Sequence, residues 1–162
     1  MPLKIGQPLP EISLKQKTDA GLADVSLRRN VGKGKTVILF VPLAFTGVCT
    51  DELCKVTGLL EEYKKLGADV IAISVDSPFA QEAWAKQAGI SLTLVSDFNR
   101  VAVKAFKVKD TKVIPEKTGL LNVAKRSVFV ADKAGNVIHS EVKRDPSSMP
   151  NFAKIKKAVE QA

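Results

Sequence analysis

Two residue types in this chain can carry redox or nucleophilic chemistry, and both are scarce. Among 162 residues there are two Cys, at 49 and 54, and one His, at 139. A Cys thiolate is a strong nucleophile and can cycle through a disulfide. Two Cys and one His fall short of the four ligands of a structural zinc site. A lone His also removes metal clusters of His and proton relays between two His. Two Cys in a chain of this length do not make a disulfide scaffold. Any redox chemistry therefore runs through Cys49 and Cys54.

The elements around the cysteines say how they would be held. Thr36 to Val41 is a continuous apolar, β-branched run, the pattern of a strand buried on both faces. The turn Pro42 to Val48 follows, and Cys49 to Leu66 has helical spacing. Cys49 thus opens a helix, where free N–H groups and the positive end of the helix dipole favour a thiolate. Sites in open α/β sheets also lie at the carboxyl ends of strands. The competing reading of position alone is a buried, inert Cys.

Projection at about 100° per residue puts Leu53, Val56, Leu59, Leu60, Tyr63 and Leu66 on one apolar face. Cys49 falls on that face and Cys54 on the opposite one. Glu52 also points inward, where a carboxylate needs a partner such as an arginine. A five-residue step in an ideal helix separates Cα atoms by about 8.6 Å. A disulfide needs less than about 7 Å. The two cysteines therefore pair only if the first helical turn unwinds.

Further along, strands are expected at Asp69–Val75, Leu92–Val95, Ser127–Ala131 and Val137–Val142. Helices are expected at Pro78–Gln87, stopped by Gly89, at Val101–Phe106 and at Phe152–Gln161. Asp132 to Asn136 reads as a hairpin turn. Lys107 to Lys125, with Pro115 and Gly119, reads as a surface loop. This order makes residues 1–162 one α/β domain, a mixed central sheet flanked by helices with an N-terminal extension.

Hydrophobic residues form 45% of the chain, which excludes a disordered or low-complexity protein. No apolar run approaches the length of a membrane span, and the start carries no signal-peptide pattern. The expectation is a soluble cytoplasmic protein, with an organelle still open. The net charge of +8 is concentrated in the second half. No aromatic residues interleave with those lysines and no nucleic-acid motif appears, so nucleic acid is not the expected partner.

The stretch Phe40-Val41-Pro42-Leu43-Ala44-Phe45-Thr46-Gly47-Val48-Cys49 contains Pro-x-x-x-Thr-x-x-Cys and resembles the active-site motif of the peroxiredoxins. Glu52, Asp76 to Gln81, Trp84, and Arg126 ahead of Ser127 to Asp132 are similar to that family as well. The resemblance implies a thioredoxin-like fold and a thiol-dependent peroxidase acting on hydrogen peroxide or alkyl hydroperoxides. It implies that Cys49 is the peroxidatic thiolate and becomes sulfenic acid. Thr46 would hydrogen-bond thiolate and peroxide, Pro42 would shield the pocket, and Arg126 would stabilise the developing charge. Glu52 would orient Arg126, and Trp84 would stand at the pocket wall or in the core. No metal or organic cofactor is implied. The implied partners are the peroxide and thioredoxin or another thiol reductant, with a homodimer as the assembly.

The spacing of Cys49 and Cys54 resembles the Q-type (bacterioferritin-comigratory-protein) peroxiredoxins, which resolve within one chain. Ser77 to Trp84 and the C-terminal part look closer to the bacterial thiol peroxidases, whose resolving Cys aligns near Ala85 here. Cys54 is then the one internal candidate, and the alternative is a one-Cys peroxidase resolved by an external thiol. Three further readings compete. A thiol–disulfide oxidoreductase would want Cys-x-x-Cys. A copper carrier would need His139 as a ligand with the cysteines. A basic binding or chaperone protein would rest on the lysine-rich half.

Overall fold

The strand run after Lys35 is apolar on both faces, so it needs neighbours on both sides and cover above and below. The computed structural model, which describes residues 1–162, provides both. In chain order the elements are β1 (Ser13–Thr18), β2 (Gly21–Ser26), β3 (Lys35–Phe40), α1 (Gly47–Lys65), β4 (Ala68–Ser74) and α2 (Pro78–Ala88). Then follow β5 (Thr93–Ser96), α3 (Val101–Ala105), α4 (Val113–Thr118), β6 (Ser127–Ala131), β7 (Val137–Val142) and α5 (Phe152–Gln161).

One seven-stranded sheet runs β2-β1-β5-β4-β3-β6-β7. β3 pairs with β4 in parallel and β4 with β5 in parallel, which the crossovers through α1 and α2 require. β6 lies antiparallel to β3, and β7 antiparallel to β6. The mixed α/β architecture expected from the element order is therefore present.

Alternation along β3 divides the core. Val37, Leu39 and Val41 face α1, α2 and α5, together with Leu53, Tyr63, Trp84, Val128 and Ile155. Ile38 and Phe40 face the other side, where Phe106 and Phe129 complete an aromatic group with ring centroids 5.0 to 6.2 Å apart.

Two segments differ from the sequence reading. The N-terminal extension contains a β-hairpin, β1–β2, docked beside β5 through Lys15 and Ser96. Lys107 to Lys125 is not a surface loop. It contains α4, and Val108, Asp110, Ile114, Val123 and Ala124 are buried. Asp110 accepts from the N–H groups of Lys112 and Val113 at 2.9 Å each. Pro115 sits in the first turn, where its missing N–H costs nothing. Gly119, at φ 73°, closes the helix. Pro and Gly, read as loop residues, are here the start and stop of a short helix.

No helix is long and apolar enough to cross a membrane.

Candidate active site

Val41 and Pro42 leave the carboxyl end of β3, both buried. The loop that follows is held from the neighbouring strand. Asp76, just past β4, accepts the N–H of Ala44 at 2.8 Å and the Ser74 hydroxyl at 2.7 Å. Phe45 turns the chain at φ 62°, a left-handed conformation uncommon for a large side chain. Thr46, in extended conformation, caps α1. Cys49 thus enters the first turn of α1 with its side chain 1% exposed.

Arg126 stands just before β6. The register pairs Phe40 with Ser127, so Arg126 comes level with the end of β3 and the loop that leads to Cys49. Its side chain is 2% exposed, which excludes a surface ion pair. Nη2 donates to Cys49 Sγ at 3.4 Å, and Nη1 donates to Glu52 Oε2. Nε and Nη2 also donate to the Pro146 carbonyl at 3.0 and 2.8 Å. The guanidinium is therefore fixed from three sides. Burial works against its charge, but the Cys49 sulfur and the Glu52 carboxylate outweigh this and raise its pKa.

Glu52 is fully buried, as its inward projection requires. Burial pushes its carboxyl up to about 7, against the pull of Arg126 and helped by the charge of Glu141. Burial also works against Glu141 itself. Lys143 at 2.6 Å and the N–H of Asn151 at 3.0 Å more than compensate and hold Glu141 below its ordinary value.

The other expected residues divide. The Thr46 hydroxyl donates to the Leu43 carbonyl at 2.7 Å and makes no hydrogen bond to Cys49. With its hydrogen committed, Oγ1 is left as an acceptor. Trp84 is core, 1% exposed, and its Nε1 donates to Thr50 Oγ1 at 3.0 Å. Cys54 is exposed on the far side of α1, and its Sγ donates to the Ala88 carbonyl at 3.3 Å. Both thiols are free and α1 is continuous between them. His139 lies on β7, 3.6 Å from Glu141, and no three His, Cys, Asp or Glu side chains converge as metal ligands.

Three contributors escape a reading of residue types. Pro146 acts through its carbonyl, which no side chain advertises. Thr50 matters through its hydroxyl, which accepts from Trp84 across two helices, a contact its residue type does not announce. Asp76 had a legible signal, because a residue just past β4 must lie beside the loop leaving the parallel strand β3.

The AhpC/TSA family model matches residues 5–140. The chain is 32% identical over 144 residues to alkyl hydroperoxide reductase E of Mycobacterium tuberculosis, covering 88% of this chain and 87% of that protein. It is 31% identical over 145 residues to the chloroplastic 2-Cys peroxiredoxin BAS1 of Hordeum vulgare, covering 85% of this chain but 65% of that longer protein. The structure of reduced Prx3 from Vibrio vulnificus, in complex with hydrogen peroxide, matches with a TM-score of 0.81 at 25% identity, over 98% of this chain and 99% of that one. The chain belongs to the AhpC/TSA family and is a peroxiredoxin, a thiol peroxidase.

Proposed function

We propose that Cys49 is the peroxidatic cysteine and that its substrates are hydrogen peroxide or alkyl hydroperoxides. The observation that carries this is the 3.4 Å contact of Arg126 Nη2 with Cys49 Sγ at the head of α1. A guanidinium and a helix N-terminus both stabilise the thiolate. The thiolate attacks one peroxide oxygen, forming the S–O bond as the O–O bond breaks, and the leaving oxygen takes a proton. Cys49 becomes sulfenic acid. Arg126 stabilises charge on the leaving oxygen. Thr46 Oγ1 accepts the peroxide O–H, and Pro42 keeps bulk water from the sulfur. Names of the relatives support the substrate class, one being an alkyl hydroperoxide reductase and another a protein bound to hydrogen peroxide.

Cys54 then attacks the sulfenic acid, giving a Cys49–Cys54 disulfide and water. Thioredoxin or a similar dithiol reduces that disulfide. Closure requires the first turn of α1 to open, because about 8.6 Å between Cα atoms exceeds disulfide reach. A second reading rests on the same helix. Cys54 points away from Cys49 and bonds Ala88, so an external thiol resolves Cys49 directly. Peroxide consumption coupled to a thioredoxin system separates the readings. Cys49→Ser abolishes turnover in both. Cys54→Ser abolishes it with thioredoxin only if Cys54 resolves; unchanged turnover establishes the one-Cys route.

A further inference from the structure

Cys49, Glu52 and Arg126 form a buried group of two acids around one base. Their exposures are 1%, 0% and 2%. Glu52 follows Cys49 by three residues on α1, so the helix presents both to the same side. Arg126, from the start of β6, bonds both. From β7, Glu141 adds a negative charge that acts on Glu52. Lys143 pairs with Glu141 at 2.6 Å, His139 Nε2 lies 3.6 Å from the same carboxylate, and no cation but Arg126 pairs with Glu52. Glu52 Oε1 is buried with no hydrogen-bond partner. An ionised carboxylate in that position is costly, and two ionised acids would leave uncompensated buried charge.

We propose that Glu52 is a positioning residue that competes with Cys49 for the charge of Arg126, so that the pocket carries one anion at a time. This rests on the reading of Cys49 as the peroxidatic residue. Glu52 is protonated while Cys49 is a thiolate, and ionised once Cys49 is a neutral sulfenic acid. The protons balance. The thiol proton of Cys49 ends on Glu52 as the thiolate forms. Attack then makes the S–O bond, breaks the O–O bond and leaves an alkoxide or hydroxide. That product takes up a proton as Glu52 releases one, so thiol plus hydroperoxide gives sulfenic acid plus alcohol or water. A Glu52 carboxyl poised near 7 lets this exchange occur around neutral pH.

The test is the pH range over which the Cys49 thiolate forms, read by its ultraviolet absorbance in reduced Cys54→Ser protein, with and without Glu52→Gln. Glutamine can still accept from Arg126 but carries no charge. Charge competition predicts that the thiolate persists about one pH unit lower in Glu52→Gln. A carboxylate that serves only to orient Arg126 predicts the reverse, because a looser guanidinium stabilises the thiolate less. A raised or unchanged midpoint overturns the proposal. If Glu52→Gln disturbs folding, carbon-13 NMR of the Glu52 carboxyl decides instead. Its titration should move to lower pH in Cys49→Ser, and an unmoved titration overturns the proposal. Failure of the wild type to consume peroxide would refute the peroxidatic reading itself. Turnover with a wrong-signed shift refutes only the charge competition.

Discussion

The indole Nε1 of Trp84 donates to the hydroxyl of Thr50 at 3.0 Å and ties α2 to the first turn of α1. Thr50 Oγ1 in turn donates to the carbonyl of Thr46, the residue that caps the helix, at 2.8 Å. The turn that must open for Cys49 to reach Cys54 is therefore latched from a neighbouring helix. Trp84→Phe removes the latch, and losing one such bond costs about 1 kcal/mol or somewhat more with the lost packing. The opened turn should become more populated, and disulfide formation after a peroxide pulse should accelerate several-fold. Rapid-quench mass spectrometry follows this step, and a slower step in Trp84→Phe would count against the latch.

Disulfide formation itself should be visible in the backbone. Amide exchange across Val48 to Cys54 should be fast in the oxidised protein and slow in the reduced one, while α2 and β4 stay protected. Equal protection of that turn in both states would mean that the disulfide forms without unwinding.

Glu52 gives the protein a signed pH dependence of stability. Its carboxyl is raised from 4.5 to about 7 by burial, so folding favours the protonated form. That contribution is complete below about pH 4.5 and is lost as pH rises through about 7. The stability of the wild type relative to Glu52→Gln should therefore fall between those values. Denaturation midpoints of both proteins across the range measure it. A relative stability that rises with pH would mean that the pairing with Arg126 outweighs burial.

Arg126→Gln should be damaging twice. Loss of the guanidinium at Cys49 should lower kcat/KM about 100- to 1,000-fold, the scale for removing an electrostatic stabiliser from a reacting centre. It also strands a buried carboxylate, a defect of about 3–5 kcal/mol when charged. The stability defect should shrink as pH falls through about 7 and Glu52 takes up a proton, while the activity defect should not.

Asp76 holds the loop rather than the reacting atoms. Asp76→Ala removes the acceptor for the Ala44 N–H and the Ser74 hydroxyl, which should cost about 1–3 kcal/mol. The loop should then hold Thr46 less well, and kcat/KM should drop about tenfold with Cys49 still oxidised by peroxide. Steady-state kinetics and thermal unfolding of the same sample test both halves.

The sheet strands and the face of α1 were legible because burial writes period into sequence. Six apolar positions and Glu52 projected inward with Cys49, and Cys54 did not. Arg126 was legible only through the resemblance, since a lone Arg before a strand has no pattern of its own. The β1–β2 hairpin was not legible. Only Leu14 and Val25 are buried in it, too few to mark alternation. α4 was hidden because its six residues are shorter than the helical period needs to show itself. The Pro146 carbonyl and the Trp84–Thr50 bond are tertiary facts, fixed only when β7, α2 and α1 pack.

The most direct test is the intact mass of reduced protein after one equivalent of peroxide. The wild type should lose two hydrogen atoms to a Cys49–Cys54 disulfide. Cys54→Ser should gain one oxygen atom, trapped on Cys49 as sulfenic acid, and Cys49→Ser should be unchanged. Oxygen gained at Cys54 in Cys49→Ser as fast as at Cys49 in Cys54→Ser would contradict the assignment of the chemistry to the thiol held by Arg126.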